Sequence, residues 1–176
     1  MGQHRRILQV VGYQNSGKTT LVESLIRECS ERGMRVATIK HHGHPTAQKQ
    51  ESHLKDSERH LAAGADITAV EGGGSLQIHI RNQTWSLDKL LQLYEPFPID
   101  LILVEGFKHE HFPKVVLLRG PDDRELLSTL KNITCAIRWE NFSLPEQRFP
   151  LYDIEDSASY IQYILQKLSD DDESAF

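Results

Sequence analysis

Short runs of branched apolar residues alternate along this chain with longer stretches whose apolar residues recur every three or four positions. Ile7 to Val11 is apolar apart from Gln9 and stops at Gly12. Its length and branching suit a strand buried on both faces. Gly12 to Ser16 is polar and reads as a loop. Lys18 to Arg32 predicts a helix, with Leu21, Leu25, Ile26 and Cys29 on one face and Gly33 closing it. Val36 to Ile39 predicts a second strand. Ser52 to Ala63 predicts another helix, ended by Gly64, and Ile67 to Val70 a third strand, followed by Gly72, Gly73 and Gly74. Ser75 to Ile80 alternates, with Leu76, Ile78 and Ile80 on one side. With Asn82 and Trp85 beyond it, this stretch suggests a hairpin insertion at about 72–86.

The remaining pattern continues the alternation. Leu87 to Tyr94 predicts a short helix. Leu101 to Val104 is the most apolar strand, Val115 to Leu118 another, and Ile133 to Ile137 the last of the core. Asp156 to Leu168 predicts a final amphipathic helix built on Ile161, Ile164, Leu165 and Leu168, with residues 169–176 as a flexible acidic tail. Strands and helices in this order predict an α/β fold. The expectation is a mostly parallel sheet, helices on both faces and a small β-hairpin excursion.

Composition narrows the class. A chain of 176 residues suits a single domain, and 39% apolar content supplies a core. The formal charge of −5 speaks against a general nucleic-acid or anionic-membrane binder. No apolar run approaches the roughly 20 residues of a membrane span. The basic start MGQHRR leads into an apolar stretch that stops at Gly12, so it does not read as a signal peptide. Only two cysteines, Cys29 and Cys135, are present, which suits a reducing cytoplasm. Much of the excess acid lies in Asp170, Asp171, Asp172 and Glu173. Basic residues and histidines gather instead between Arg35 and His60.

The first strand and helix are joined by a motif that carries chemistry. Gly12-Tyr13-Gln14-Asn15-Ser16-Gly17-Lys18-Thr19 fits G-x-x-x-x-G-K-[ST] in full. In such a loop the glycines let backbone amides point inward at phosphate oxygens. Lys18 brings an ammonium to the β- and γ-phosphates, Thr19 offers a hydroxyl to Mg²⁺, and the helix N-terminus, with Thr20 in its first turn, adds its dipole. The chemistry also asks for an acid at the end of another core strand. Nucleotides bind beyond the C-terminal ends of parallel strands. Glu105 stands at that end of Leu101–Val104, whereas Asp100 stands at the opposite end and reads as structural. Glu71 is a weaker alternative.

Lys40-His41-His42-Gly43-His44 follows the second strand and so shares the sheet edge with the phosphate loop. Lys40 and His41 are candidates for phosphate contact, while a closed zinc site lacks the paired cysteines it would ordinarily use. In Lys55-Asp56-Ser57, Asp56 has two readings. It either positions a magnesium ligand or a hydrolytic water, or pairs with Arg59 along a helix.

These segments, together with Thr38-Ile39-Lys40-His41-His42, His60, Ala63-Gly64-Ala65 and Asp100-Leu101-Ile102-Leu103-Val104-Glu105-Gly106-Phe107-Lys108, resemble the MobB family of molybdopterin-guanine dinucleotide biosynthesis adapter proteins. The resemblance covers roughly residues 5 to 120 and implies several things. It implies a homodimer that binds GTP with Mg²⁺ and hydrolyses it weakly. It implies action beside the guanylyltransferase MobA in attaching GMP to molybdopterin, so the partners would be MobA and molybdopterin or its dinucleotide. The residues expected in catalysis are Lys18, Asp56 and Glu105, with Thr19 and Glu105 at the metal, and the resemblance maps the family's phosphate loop onto Gly12–Thr19, its Lys-Asp-Ser segment onto Lys55–Ser57 and its acidic strand end onto Glu105. The chain departs from the family where His53-Leu54 replaces a Pro-Gly and only Glu51 is acidic between His44 and Leu54. No N-K-x-D segment marks guanine recognition. Two other readings stand beside the adapter: a P-loop kinase or ligase acting on a small metabolite, and a nucleotide-binding module without turnover. Trp85, Tyr94 and Phe97 are candidate dimer-contact aromatics.

Overall fold

The computed structural model describes residues 5–41, 56–81 and 84–173. The histidine-rich segment from His42 onward, Lys55 and Asn82 lie outside the described residues. The first apolar run forms β1 (Arg6–Val11), and α1 (Lys18–Glu31) follows the loop. Then come β2 (Val36–Lys40), α2 (Asp56–Ala62), β3 (Ile67–Gly72), β4 (Ser75–Ile80), α3 (Leu87–Leu93), β5 (Leu101–Glu105) and β6 (Lys114–Leu118). A 3₁₀ turn (Pro121–Arg124) leads into α4 (Glu125–Thr129), β7 (Ile133–Arg138), β8 (Leu151–Asp153) and α5 (Ser157–Glu173).

Six strands pair in the order β2-β5-β1-β6-β7-β8, and every pairing is parallel. Alternation within each strand divides the core. Leu8, Val10, Leu101, Leu103, Val115, Leu117 and Ile137 pack with Leu25 of α1 and Ile164 of α5 on one face. The other face has two clusters. Val11, Val116 and Leu118 pack on Leu126 of α4, while Ile39, Ile102 and Val104 pack on Leu87 of α3. Both faces of the parallel sheet are therefore covered, which explains why β5 and β6 are wholly buried and, apart from Glu105 and Lys114 at their ends, apolar without alternation. Cys29 and Cys135 are both free and buried.

The sheet edges are also tied down. At the N-terminal end of β5, Asp100 accepts from the Arg35 guanidinium at 2.8 and 3.0 Å and from its backbone N–H at 2.8 Å. These bonds, the side-chain ones first, hold the Asp100 carboxyl at about 2. The structural reading of Asp100 matches this position.

Four differences from the sequence expectation have physical reasons. Ile67–Val70 is a strand, but it pairs antiparallel with β4 in a separate two-stranded sheet rather than joining the core. The hairpin therefore turns at Gly73-Gly74, and its first strand begins at Ile67. Second, the short strand β8 extends the sheet past β7, and its three residues are too few for a periodic signal. Third, the turn and short helix over 121–129 arise where Pro121 starts a helical turn. Fourth, α5 continues past Leu168 to Glu173, because nothing in Ser169–Asp172 breaks a helix. Among the described residues no helix is long and apolar enough to cross a membrane.

Candidate functional site

The C-terminal ends of β1, β2 and β5 converge on the phosphate loop. Gly12 closes β1 with no room for a side chain. A Cβ there would meet the Leu117 carbonyl oxygen at 2.8 Å and Ser16 Oγ at 2.6 Å. Beyond it, Asn15 (φ 60°) and Gly17 (φ 87°) take the left-handed conformation. This alternation turns successive backbone N–H groups into a concavity fit for an anion. Gly17 is the N-cap of α1, so the helix's free amides open onto the same space. Ser16 is fully buried. Gln14 and Asn15 are exposed on the loop's rim, and Thr20 lies in the first turn of α1, its carbonyl accepting from Ser24 Oγ at 3.0 Å.

Lys18 folds back across the loop. Its Nζ donates to the Tyr13 carbonyl at 2.5 Å and approaches Ser16 Oγ at 3.4 Å. Burial pulls this ammonium below the ordinary lysine value. Glu105 opposes that shift, and Lys40 and Arg119 reinforce it. A phosphate entering the loop would supply the charge this cation lacks.

The second focus joins the first turn of α1 to the ends of β2 and β5. Thr19 Oγ1 donates toward the Glu105 carboxylate at 3.2 Å, and Glu105 is buried. Lys40, register partner of Glu105 across β2 and β5, sends its Nζ to within 3.1 Å of Glu105 Oε1 and 3.2 Å of Thr19 Oγ1. A positive group thus already bridges the hydroxyl and the carboxylate. The donor set passes the same test for Mg²⁺, a hard cation that takes few protein oxygens and completes its shell with phosphate and water. No group of three or more His, Cys, Asp or Glu side chains among the described residues is placed to hold a metal by itself. Such an ion would therefore need a nucleotide's phosphates beside Thr19 and Glu105.

His41 takes a different place. Its backbone N–H donates to the Glu105 carbonyl at 2.9 Å, and its ring lies against Phe107 with centroids 4.4 Å apart. It braces the strand ends beside the site. Of the two roles open to Asp56, the structure shows the helical ion pair. Its Oδ1 is 3.3 Å from Arg59 Nη1, on an exposed face of α2.

Two groups that sequence reasoning passed over stand on the loop's other flank. Arg119, just after β6, donates to the Gln14 carbonyl at 3.2 Å while Asp123 grips it with two oxygens at 2.8 and 2.9 Å. It also lies 5.4 Å from the Tyr13 ring centroid, with Lys108 at 4.9 Å from the same ring. Tyr13 donates its hydroxyl to Glu125, chiefly through which its phenol is raised above the ordinary value. Trp139, just after β7, donates its indole N–H to the Ser16 carbonyl at 3.0 Å. The rule that found Lys40, a cation directly after a parallel strand, would also have found Arg119. Trp139 has no such signal beyond its place at a strand end.

Known proteins are similar to this chain in sequence and fold. The family model described as "Molybdopterin guanine dinucleotide synthesis protein B" matches residues 7–139. A Bacillus subtilis protein named as a probable molybdopterin-guanine dinucleotide biosynthesis adapter protein is 40% identical over 162 residues, covering 92% of each chain. The molybdopterin-guanine dinucleotide biosynthesis adapter protein of Escherichia coli K12 is 30% identical over 166 residues, covering 92% of this chain and 94% of its own. Among solved structures, a MobB protein homolog from Bacillus stearothermophilus superposes with a TM-score of 0.76 at 40% identity, covering 93% of this chain and 97% of that one. With the family model spanning residues 7–139 and relatives 30–40% identical over most of their length, this chain belongs to the MobB family.

Proposed function

We propose that this protein is a GTP-binding adapter of molybdopterin guanine dinucleotide synthesis, with weak Mg²⁺-dependent GTPase activity. One observation carries the reading: Lys18, Thr19, Lys40 and Glu105 converge at one edge of the parallel sheet, around a loop whose amides face inward. Lys18 and the loop amides bind and neutralise the phosphates, in a setting partly shielded from water. Thr19 and Glu105 would hold Mg²⁺, which supplies charge neutralisation at the β- and γ-phosphates when bound. The ion would take over the bridge that Lys40 makes between Glu105 and Thr19. Asp56, the acid expected to position a hydrolytic water, is engaged with Arg59 on an exposed face of α2. Slow turnover follows, and slow turnover suits an adapter better than a metabolic enzyme.

The same reading extends to partners and place. The protein acts beside the guanylyltransferase MobA on molybdopterin or its dinucleotide, in the cytoplasm, where its two free cysteines stay reduced. It works as a homodimer through the β3–β4 hairpin. The register of that hairpin puts Ile67, Leu76 and Ile78 on one face, and they are 59%, 58% and 52% exposed. A two-stranded ribbon is marginal alone, and a second copy would cover this apolar face under two-fold symmetry. Of the aromatics expected at the contact, Tyr94 instead packs inward, its hydroxyl donating to the Thr38 carbonyl at 2.8 Å.

The test is a nucleotide panel: ATP against GTP, with and without Mg²⁺, run alone and with a molybdopterin guanylyltransferase. The expected result is Mg²⁺-enhanced GTP binding, slow phosphate release and increased product from the transferase. A preference for ATP with rapid phosphoryl transfer to a small acceptor would overturn it in favour of a kinase.

A further inference from the structure

We propose that Trp139 is the platform on which the base of the bound nucleotide stacks, an inference that rests on the nucleotide reading above. The direction of the ligand follows from the asymmetry of the loop's surroundings. Thr19, Glu105 and Lys40 crowd the flank beside β5 and β2, and mark where the terminal phosphates and their cation belong. The nucleoside must then leave over the opposite flank, above the ends of β6 and β7. That is where Trp139 stands.

Three observations fit the indole to this role. Its one polar atom is already satisfied, because Nε1 donates to the Ser16 carbonyl at 3.0 Å. The ring lies close beside the N-cap of α1, where a Cβ on Gly17 would be 3.4 Å from Trp139 Cζ2. Even so, Trp139 remains 51% exposed. A large ring pinned by a hydrogen bond at one edge and half exposed is preorganised to accept a flat partner at small entropic cost. Any base offers a π-face, so such stacking supplies affinity without itself choosing guanine.

Inorganic tripolyphosphate fills the phosphate loop but carries no base, so it separates the two contributions. In titrations with GTP and with tripolyphosphate, Trp139→Ala is expected to weaken GTP about tenfold to a hundredfold while tripolyphosphate stays within about twofold. Trp139→Phe, which keeps a ring and loses the N–H, should restore most GTP affinity. A measurement free of any change at Trp139 runs in parallel. The chain has two tryptophans, so in Trp85→Phe the emission comes from Trp139 alone. GTP should quench it saturably and tripolyphosphate should not. Equal weakening of both ligands by Trp139→Ala would reduce the indole to a brace for the loop. Unchanged GTP affinity, or absence of quenching on saturation with GTP, would also overturn the inference while leaving the nucleotide site standing. Failure of the unsubstituted protein to bind either ligand would overturn the nucleotide reading itself.

Discussion

Lys40 and Glu105 are register partners on adjacent parallel strands, and their side chains close on each other with Nζ 3.1 Å from Oε1. The pair sits where a strand-end acid would share a divalent cation with Thr19. A lysine therefore neutralises Glu105 in the absence of a cation, a role that a bound Mg²⁺ would take over.

This exchange predicts a conditional effect for Lys40→Met. Lys40 is 44% exposed, so its contribution is modest. Without Mg²⁺, loss of the ammonium should weaken GTP about threefold to fivefold. With saturating Mg²⁺ the loss should shrink toward nothing. Calorimetric titrations with and without the metal check this. An equal loss in both conditions would show that Lys40 and the metal do not share a role.

Glu105→Gln keeps the shape and an acceptor for Thr19 but removes the charge. The gain in GTP affinity on adding Mg²⁺ should fall by about tenfold or more, with little change in metal-free binding. A Mg²⁺ titration followed by nucleotide affinity reads it directly, and an unaltered titration would remove Glu105 from the metal site.

Much of this site could be read from residue order. The loop Gly12–Thr19 announced itself by spacing, and Glu105 was preferred over Asp100 because only one end of a parallel strand faces a ligand. Other parts could not be read. The first strand of the hairpin is one of them, because Ile67–Val70 has the branched composition of a core strand, and pairing partners depend on the three-dimensional path rather than on composition. Asp56 was open between two roles because helix spacing alone cannot say what else approaches. Trp139 reaches the loop from 123 residues away in the chain, and no local pattern reports such a distance; Arg119, 105 residues away, carries only its place directly after a strand as a signal.

Acid stability should depend on the clamp at the far end of β5. The Asp100 carboxyl is lowered from 3.8 to about 2 by Arg35. A folded value below the unfolded one contributes stability above about pH 4 that is lost as pH falls toward about 2. Asp100→Asn removes that dependence. Thermal melts between pH 5 and pH 2 should decline less steeply for the variant, from a lower starting point at pH 5. Parallel curves would reject the linkage.

The dimer makes its own prediction. Ile78→Lys sets a charge in the middle of the exposed apolar face of the hairpin, opposite Ala69. The substitution removes nothing from the core, so the fold should persist. Sedimentation at micromolar concentration should show a dimer for the unsubstituted protein and a monomer for the variant. A dimer in both would move the interface elsewhere.

The account as a whole depends on a triphosphate occupying the space that Lys18 now spans. Isothermal calorimetry of GTP with Mg²⁺, comparing the unsubstituted protein with Lys18→Ala, measures this directly. Loss of a charge-assisted bond of about 1.5–3 kcal/mol predicts that affinity falls roughly tenfold to a hundredfold. Equal affinity for the two proteins would contradict the central claim.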